Sequence, residues 1–171
     1  MDPDPDPDPG PAHLMRPPRP SRRPLPHDVP PWIDPARETY FITLNCEVRG
    51  VNTLCHKEPA ARLFESVGFR HRSRAWHCHL CLLMPDHLHA LITFTGTRKS
   101  MPKTIGDWKR WLALKEGIPW QADFFEHRIR SEHEEVSKAQ YILQNPVRKG
   151  LVKQAEDWPY VWRPNRMEDV M

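Results

Sequence analysis

Two apolar runs, 75–83 and 87–95, meet at Met84-Pro85-Asp86. Proline presets the backbone angle of a tight turn, and an aspartate side chain readily bonds its own backbone, so the triplet reads as the turn of a β-hairpin. An antiparallel hairpin in mid-chain rules out a wholly parallel sheet and leaves the flanking elements to pack around it. Upstream, Thr39-Tyr40-Phe41-Ile42-Thr43-Leu44 is β-branched and aromatic with apolar residues on both faces, as a central strand requires. Pro59 suits the first turn of a short helix carrying Ala60, Leu63, Phe64 and Val67 on one side. Downstream, Ile105, Trp108 and Leu112 predict a helix over about 103–116, which Gly117 and Pro119 stop, and Ile129 suits a short edge strand. A last helix opens on the capping box Ser131-Glu132-His133-Glu134 and is expected to end at Asn145, before Pro146. The order βαββαβα predicts an α+β sandwich of ferredoxin-like type, an antiparallel sheet flanked by helices.

Proline also marks where the domain begins. Of 20 prolines, 13 fall in the first 35 residues, starting with the repeat Asp2-Pro3 to Asp8-Pro9. That composition offers too little apolar surface to offset the entropy of ordering, so residues 1–35 are expected to form an extended tail. The chain thus divides into this tail, a domain at 36–165 and a short tail at 166–171. Acidic residues open the chain, no apolar core follows them, and no apolar run is long enough for a bilayer, which speaks against a secretory signal or membrane partner. Four cysteines without export signals point to reduced thiols in the cytoplasm. Net charge is +3, with a surplus of acids before residue 36 and of bases after it; Arg16, Arg19, Arg22 and Arg23 cluster in the tail. This balance is compatible with phosphate backbones without demanding them.

Three groups of residues bear on chemistry. In His87-Leu88-His89 the period-two geometry of a strand puts both imidazoles on one face, with Cα atoms about 6–7 Å apart, where they can grip one metal ion. Leu88, Ala90, Ile92 and Phe94 then anchor the opposite, apolar face. Such a pair is commonly structural, and His77-Cys78-His79 repeats it. With Cys81 that second cluster suggests zinc, but all four residues crowd one strand, where Cys78 is expected to face away from His77, His79 and Cys81. On the last helix, Val136, Ala139 and Leu143 form the expected core stripe, while Glu134, Lys138, Tyr141 and Asn145 share a polar face. A phenol with a free pKa of about 10 is a poor nucleophile without a cation or metal nearby.

Several ordered blocks together carry a resemblance. Tyr40-Phe41-Ile42-Thr43, Met84-Pro85-Asp86-His87-Leu88-His89-Ala90-Leu91-Ile92, Trp120-Gln121 and Phe124-Phe125-Glu126-His127-Arg128-Ile129-Arg130 are similar to the REP-associated tyrosine transposases. So are Tyr141-Ile142, Asn145-Pro146-Val147-Arg148-Lys149-Gly150-Leu151-Val152 and Glu156-Asp157-Trp158-Pro159-Tyr160-Val161-Trp162. These transposases belong to the wider HUH single-strand transposases of insertion sequences, and the resemblance spans about residues 38–163. It implies an HUH nuclease fold with Tyr141 as nucleophile and His87, His89 and Asn145 as ligands of a divalent ion, Mg²⁺ or Mn²⁺. It further implies a bacterial cytoplasmic endonuclease and strand transferase, acting on single-stranded or hairpin DNA as a monomer or homodimer. That enzyme would form a 5′-phosphotyrosine link at repeat DNA and leave a free 3′-OH. His127, Arg128, Arg130 and Lys138 are candidate DNA contacts, and Trp108 and Trp111 are candidate stacking or core residues. Two rival readings are a non-catalytic hairpin-binding protein on the same fold and a zinc-bound regulatory module built on His77 to Cys81.

Overall fold

The structure, a computed structural model, describes residues 38–95 and 100–164. The expected tails at 1–35 and 166–171 lie outside the described residues. Strands β1 (Thr39–Asn45), β2 (His77–Met84), β3 (His87–Thr93), β4 (Phe125–Arg128) and β5 (Val161–Trp162) form one antiparallel sheet in the order β4-β1-β3-β2-β5. Helices α1 (Lys57–Arg72) and α2 (Met101–Glu116) cover one face, and α3 (Glu132–Arg148) covers the other. This is the expected α+β, ferredoxin-like arrangement, with the hairpin at its centre.

The hairpin turn is tighter than the sequence suggested. Met84 pairs with His87, so only Pro85 and Asp86 lie outside the ladder. The loop after β1 stitches that turn in place: Thr53 and Leu54 donate their N–H groups to Pro85 O, and Cys46 donates to Asp86 O. Three long strands alternate between two cores. Tyr40, Ile42, Leu44, Leu88, Ala90 and Ile92 pack under α1 and α2, with Leu63, Val67, Trp76 and Trp108. Phe41, Leu82, Met84 and Leu91 pack under Ile142 of α3. Gly117 closes α2 in the left-handed conformation, at φ 65°, which glycine adopts without a Cβ clash.

Several local expectations need correction. Helix α1 is a full 16 residues, because Ser66, Gly68 and His71 continue its buried side past Leu63. Helix α3 does not stop at Asn145. Pro146 lies inside its last turn and is buried, and Lys149, Gly150 and Leu151 donate back to Asn145, Val147 and Pro146. A proline so close to the end forfeits one intrahelical bond, and its packing offsets that loss. Val136 is 56% exposed rather than core. Ala139 and Leu143 do pack against the core, but the inward side also takes in Lys138, Ile142, Asn145 and Pro146, so part of the expected polar face meets the sheet. Cys78 and Cys81 share the α1 side of the sheet, because a bulge between Cys78 and Leu80 reverses the alternation. The two-residue β5 is too short to leave a pattern in the sequence; it covers the free edge of β2.

Lys109 fixes the approach to β4. Its buried ammonium donates to Gln121 O at 2.6 Å and Ala122 O at 2.7 Å, and burial lowers its pKa. Lys109→Met should leave both carbonyls short of a donor and cost about 2 kcal/mol of stability, measurable by urea unfolding. An unchanged midpoint would show that water replaces the ammonium.

Candidate functional site

Antiparallel alternation turns His87 and His89 toward the α3 face, with ring centroids 4.8 Å apart. Each ring is held through Nδ1. For His87 the partner is Asp86 Oδ1 at 2.6 Å. For His89 it is Thr43 Oγ1 at 2.8 Å, from the residue directly opposite on β1. Phe41 stacks on the His89 ring at 5.4 Å. Asp86 is anchored in turn: its second oxygen accepts the Gly50 N–H at 2.7 Å and lies 3.2 Å from Arg49 Nε. Gly50 presents that N–H from a left-handed backbone at φ 78°, and Arg49 also donates to Asn45 Oδ1.

Burial disfavours the charged form of both imidazoles. Burial lowers the His87 pKa despite its bond to Asp86, with the Arg49 and Lys149 charges adding to the fall. Burial, then the neighbouring His87 and Arg49, bring His89 down to about 3. Burial alone would raise the Asp86 carboxyl, but the Gly50 N–H, His87 and Arg49 outweigh it and hold it below its ordinary value.

Helix α3 brings the third group. The Tyr141 ring lies 6.2 Å from that of His89 and 6.1 Å from that of Phe41. Arg148 Cζ sits over the Tyr141 ring at 4.8 Å and Lys138 Nζ at 5.7 Å. Asn145, one turn beyond Tyr141, is buried, and its Nδ2 donates to Tyr141 O at 3.0 Å. Its Oδ1 is then the atom left to meet a cation.

These donors suit a divalent ion. With each Nδ1 engaged, Nε2 is the remaining nitrogen, and a histidine whose other nitrogen meets a carboxylate or hydroxyl is the usual form of a metal ligand. Among the described residues no group of three or more His, Cys, Asp or Glu is placed to hold a metal, and the amide oxygen of Asn145 is the candidate third donor. An ion held by two imidazoles and an amide would act as a Lewis acid toward a phosphate. The His77 to Cys81 cluster is unsuited. The bulge sets Cys78 and Cys81 together on the α1 side, while His79 meets Thr93 and Glu135 on the other, so the four do not converge on one ion. Asp86→Asn, which keeps the turn but can donate to Nδ1, is expected to weaken Mn²⁺ binding roughly 10–100-fold by calorimetry. Unchanged affinity would limit Asp86 to holding the loop.

No protein-family profile matches the chain. The REP-associated tyrosine transposase of Escherichia coli (strain K12) is 28% identical over 131 residues, covering 71% of this chain and 74% of the relative. A Haemophilus influenzae protein of the same designation is 31% identical over 97 residues, 47% of this chain and 54% of its own. A solved structure of a REP-associated tyrosine transposase bound to a REP hairpin superimposes with a TM-score of 0.63 at 27% identity, covering 72% of this chain and 75% of that one. The chain is similar to the REP-associated tyrosine transposases in sequence and in fold. The fold expected from that likeness is the one observed.

The remaining candidates scatter around the site. His127 shares the face of Phe41, its partner in register, and its Nε2 is 2.7 Å from Glu134 Oε1. That bond and the Arg130 N–H hold the Glu134 carboxyl below its ordinary value. Arg128 pairs with Tyr40, on the opposite face, and meets Glu38 at 3.3 Å. Arg130 is exposed in the turn before α3. Trp108 is fully buried, with Nε1 donating to Ser66 Oγ at 2.9 Å, whereas Trp111 is partly exposed under Arg70. Sequence reasoning missed Thr43 and Asp86, which hold the histidines, and Arg148 over the tyrosine. Arg148 had a signal, since it lies seven residues after Tyr141 on the same helix face. Thr43 had none short of the β1–β3 register.

Proposed function

We propose that this relative of the REP-associated tyrosine transposases is a metal-dependent single-strand DNA endonuclease and strand transferase acting at hairpin-containing DNA. The observation that carries the reading is Tyr141 standing 6.2 Å from His89 beneath two cations, Arg148 and Lys138. Its ring is 40% exposed, so the phenol is open to a substrate on the side away from His89 and Phe41. The similar chain solved with a REP hairpin supports DNA of that form as substrate.

In this mechanism His87, His89 and Asn145 would hold a divalent ion, Mg²⁺ or Mn²⁺. When bound, the ion supplies positive charge to nonbridging oxygens of the scissile phosphate. Tyr141 Oη, its proton lost to solvent, attacks phosphorus in line. The new Oη–P bond replaces the P–O3′ bond, and the departing oxygen takes up a proton to become a free 3′-OH. One diester is exchanged for another, so rejoining needs no nucleotide cofactor. Arg148 and Lys138 put two charges where negative charge accumulates during displacement. His127 and Arg130 are the candidate contacts to the backbone of a bound strand, and Arg128, paired with Glu38, would contribute more weakly.

The direct test is incubation of the protein with a labelled oligonucleotide carrying a hairpin and single-stranded flanks, plus Mn²⁺. A denaturation-resistant protein–DNA adduct is expected. Hairpin binding without an adduct would favour a non-catalytic binder. Deleting residues 1–35 should leave cleavage within a few-fold, because the site is built from 41–148. Loss of cleavage with the domain still folded would give Arg16 to Arg23 a part in holding substrate.

A further inference from the structure

We propose that Phe125 is a stacking platform for the nucleobase beside the scissile phosphate, an inference that rests on the nuclease reading above. Phe125 opens β4, the four-residue edge strand, and is 48% exposed. Edge strands ordinarily carry charge or proline at such positions, since exposed apolar edges invite aggregation. Its partner in register is Thr43, whose own partner is His89. Phe125, Thr43 and His89 therefore form one row on the α3 face, with Phe125 two strands, roughly 10 Å, from the histidine.

Between them lies an aromatic ledge. Phe125 meets Phe41 edge-on at 6.0 Å, and Phe41 meets Tyr141 edge-on at 6.1 Å. Lys138 Nζ stands over the Phe41 ring at 5.2 Å. The contact with Phe41 holds the Phe125 ring while leaving about half its surface to water. A strand whose phosphate sits at Tyr141 carries its flanking base toward this ledge, and Lys138, Arg148 and exposed Arg130 supply the charge that draws a polyanion there. Aromatic faces bind single-stranded bases without regard to sequence, so Phe125 would add affinity and positioning rather than choice of base.

The test is a cycle between protein and DNA, using a hairpin oligonucleotide with 2-aminopurine, or an abasic site, at each position flanking the cleavage junction. Wild type is expected to quench the fluorophore at one flanking position and to form the Tyr141 adduct. Phe125→Ala should abolish that quenching and weaken binding about tenfold. Phe125→Trp should retain both, and Phe125→Leu, which keeps the apolar contact with Phe41, should lose the quenching. An abasic site at the quenched position should bring wild type and Phe125→Ala to equal affinity. Adduct formation by wild type, with quenching unchanged in Phe125→Ala and Phe125→Leu, overturns the stacking role alone. Absence of any wild-type adduct overturns the nuclease reading on which it rests.

Discussion

Tyr141→Phe is expected to abolish the covalent protein–DNA adduct while leaving stability and hairpin binding almost unchanged. The change removes one oxygen, and among the described residues no hydrogen bond to Tyr141 Oη is lost. The ring keeps its edge contact with Phe41 and its place beneath Arg148 and Lys138. Stability should stay within about 0.5 kcal/mol, as for other surface changes that break no cap or network. Loss of the attacking atom cannot be made good by the neighbours, so the rate should fall on the order of 10⁴-fold or more. The other two tyrosines are poorly placed to substitute. Tyr40 is buried in the α1–α2 core, where burial raises its pKa, and Tyr160 packs on Trp158. The measurement is adduct formation on a denaturing gel beside a melting curve and a gel shift. An adduct that survives in Tyr141→Phe, or maps to Tyr40 or Tyr160, would refute the assignment.

How far the site was legible follows from how local each signal is. The hairpin turn, the strand of alternating His87 and His89, and the Ser131 cap are written in neighbouring residues, and all three lie where the pattern puts them. Ser131 Oγ accepts from Glu134 N at 3.2 Å; Glu134 reaches back to Arg130 N instead of to Ser131 N. What failed was one edge of the side of α3 that meets the sheet: Ala139 and Leu143 pack there, and Val136 does not. Periodicity chose Val136, Ala139 and Leu143 because it counts apolar residues. The real packing face admits Lys138 and Asn145 because the surface opposite them contains histidines as well as an apolar core. A polar stripe turned inward is thus a mark of the site, and no single-helix pattern can tell it from a solvated face. Thr43 and Phe41 were equally hidden, since each acts through β-register with residues more than forty positions away. The bulge at His79 escaped for the same reason: it changes which face a residue occupies without changing composition.

His87→Ala and His89→Ala should each remove metal-dependent cleavage, by at least about 100-fold, and with it most Mn²⁺ binding. Two rings at 4.8 Å act as a pair, and either alone on a strand is a poor chelator. Hairpin binding should survive both changes, because single-strand affinity comes from backbone charge and base stacking outside the pair. Of the two, His89→Ala carries the greater structural risk, as it empties a buried position beneath Phe41 and leaves Thr43 without its partner. His89→Gln keeps most of that volume and should show the same loss of cleavage with a smaller change in melting temperature. His79→Ala is the control. That ring bonds Thr93 Oγ1 at 2.9 Å, four residues along β3 from His89 and so roughly 13 Å away, and it meets Glu135 at 3.6 Å. Its removal should disturb the sheet surface and leave cleavage within a few-fold. The readouts are cleavage in Mn²⁺, gel shift and calorimetric metal binding on the same four variants. If His79→Ala abolished cleavage while His87→Ala retained it, the metal would lie on β2, and the pairing of Tyr141 with His89 would lose its chemical meaning.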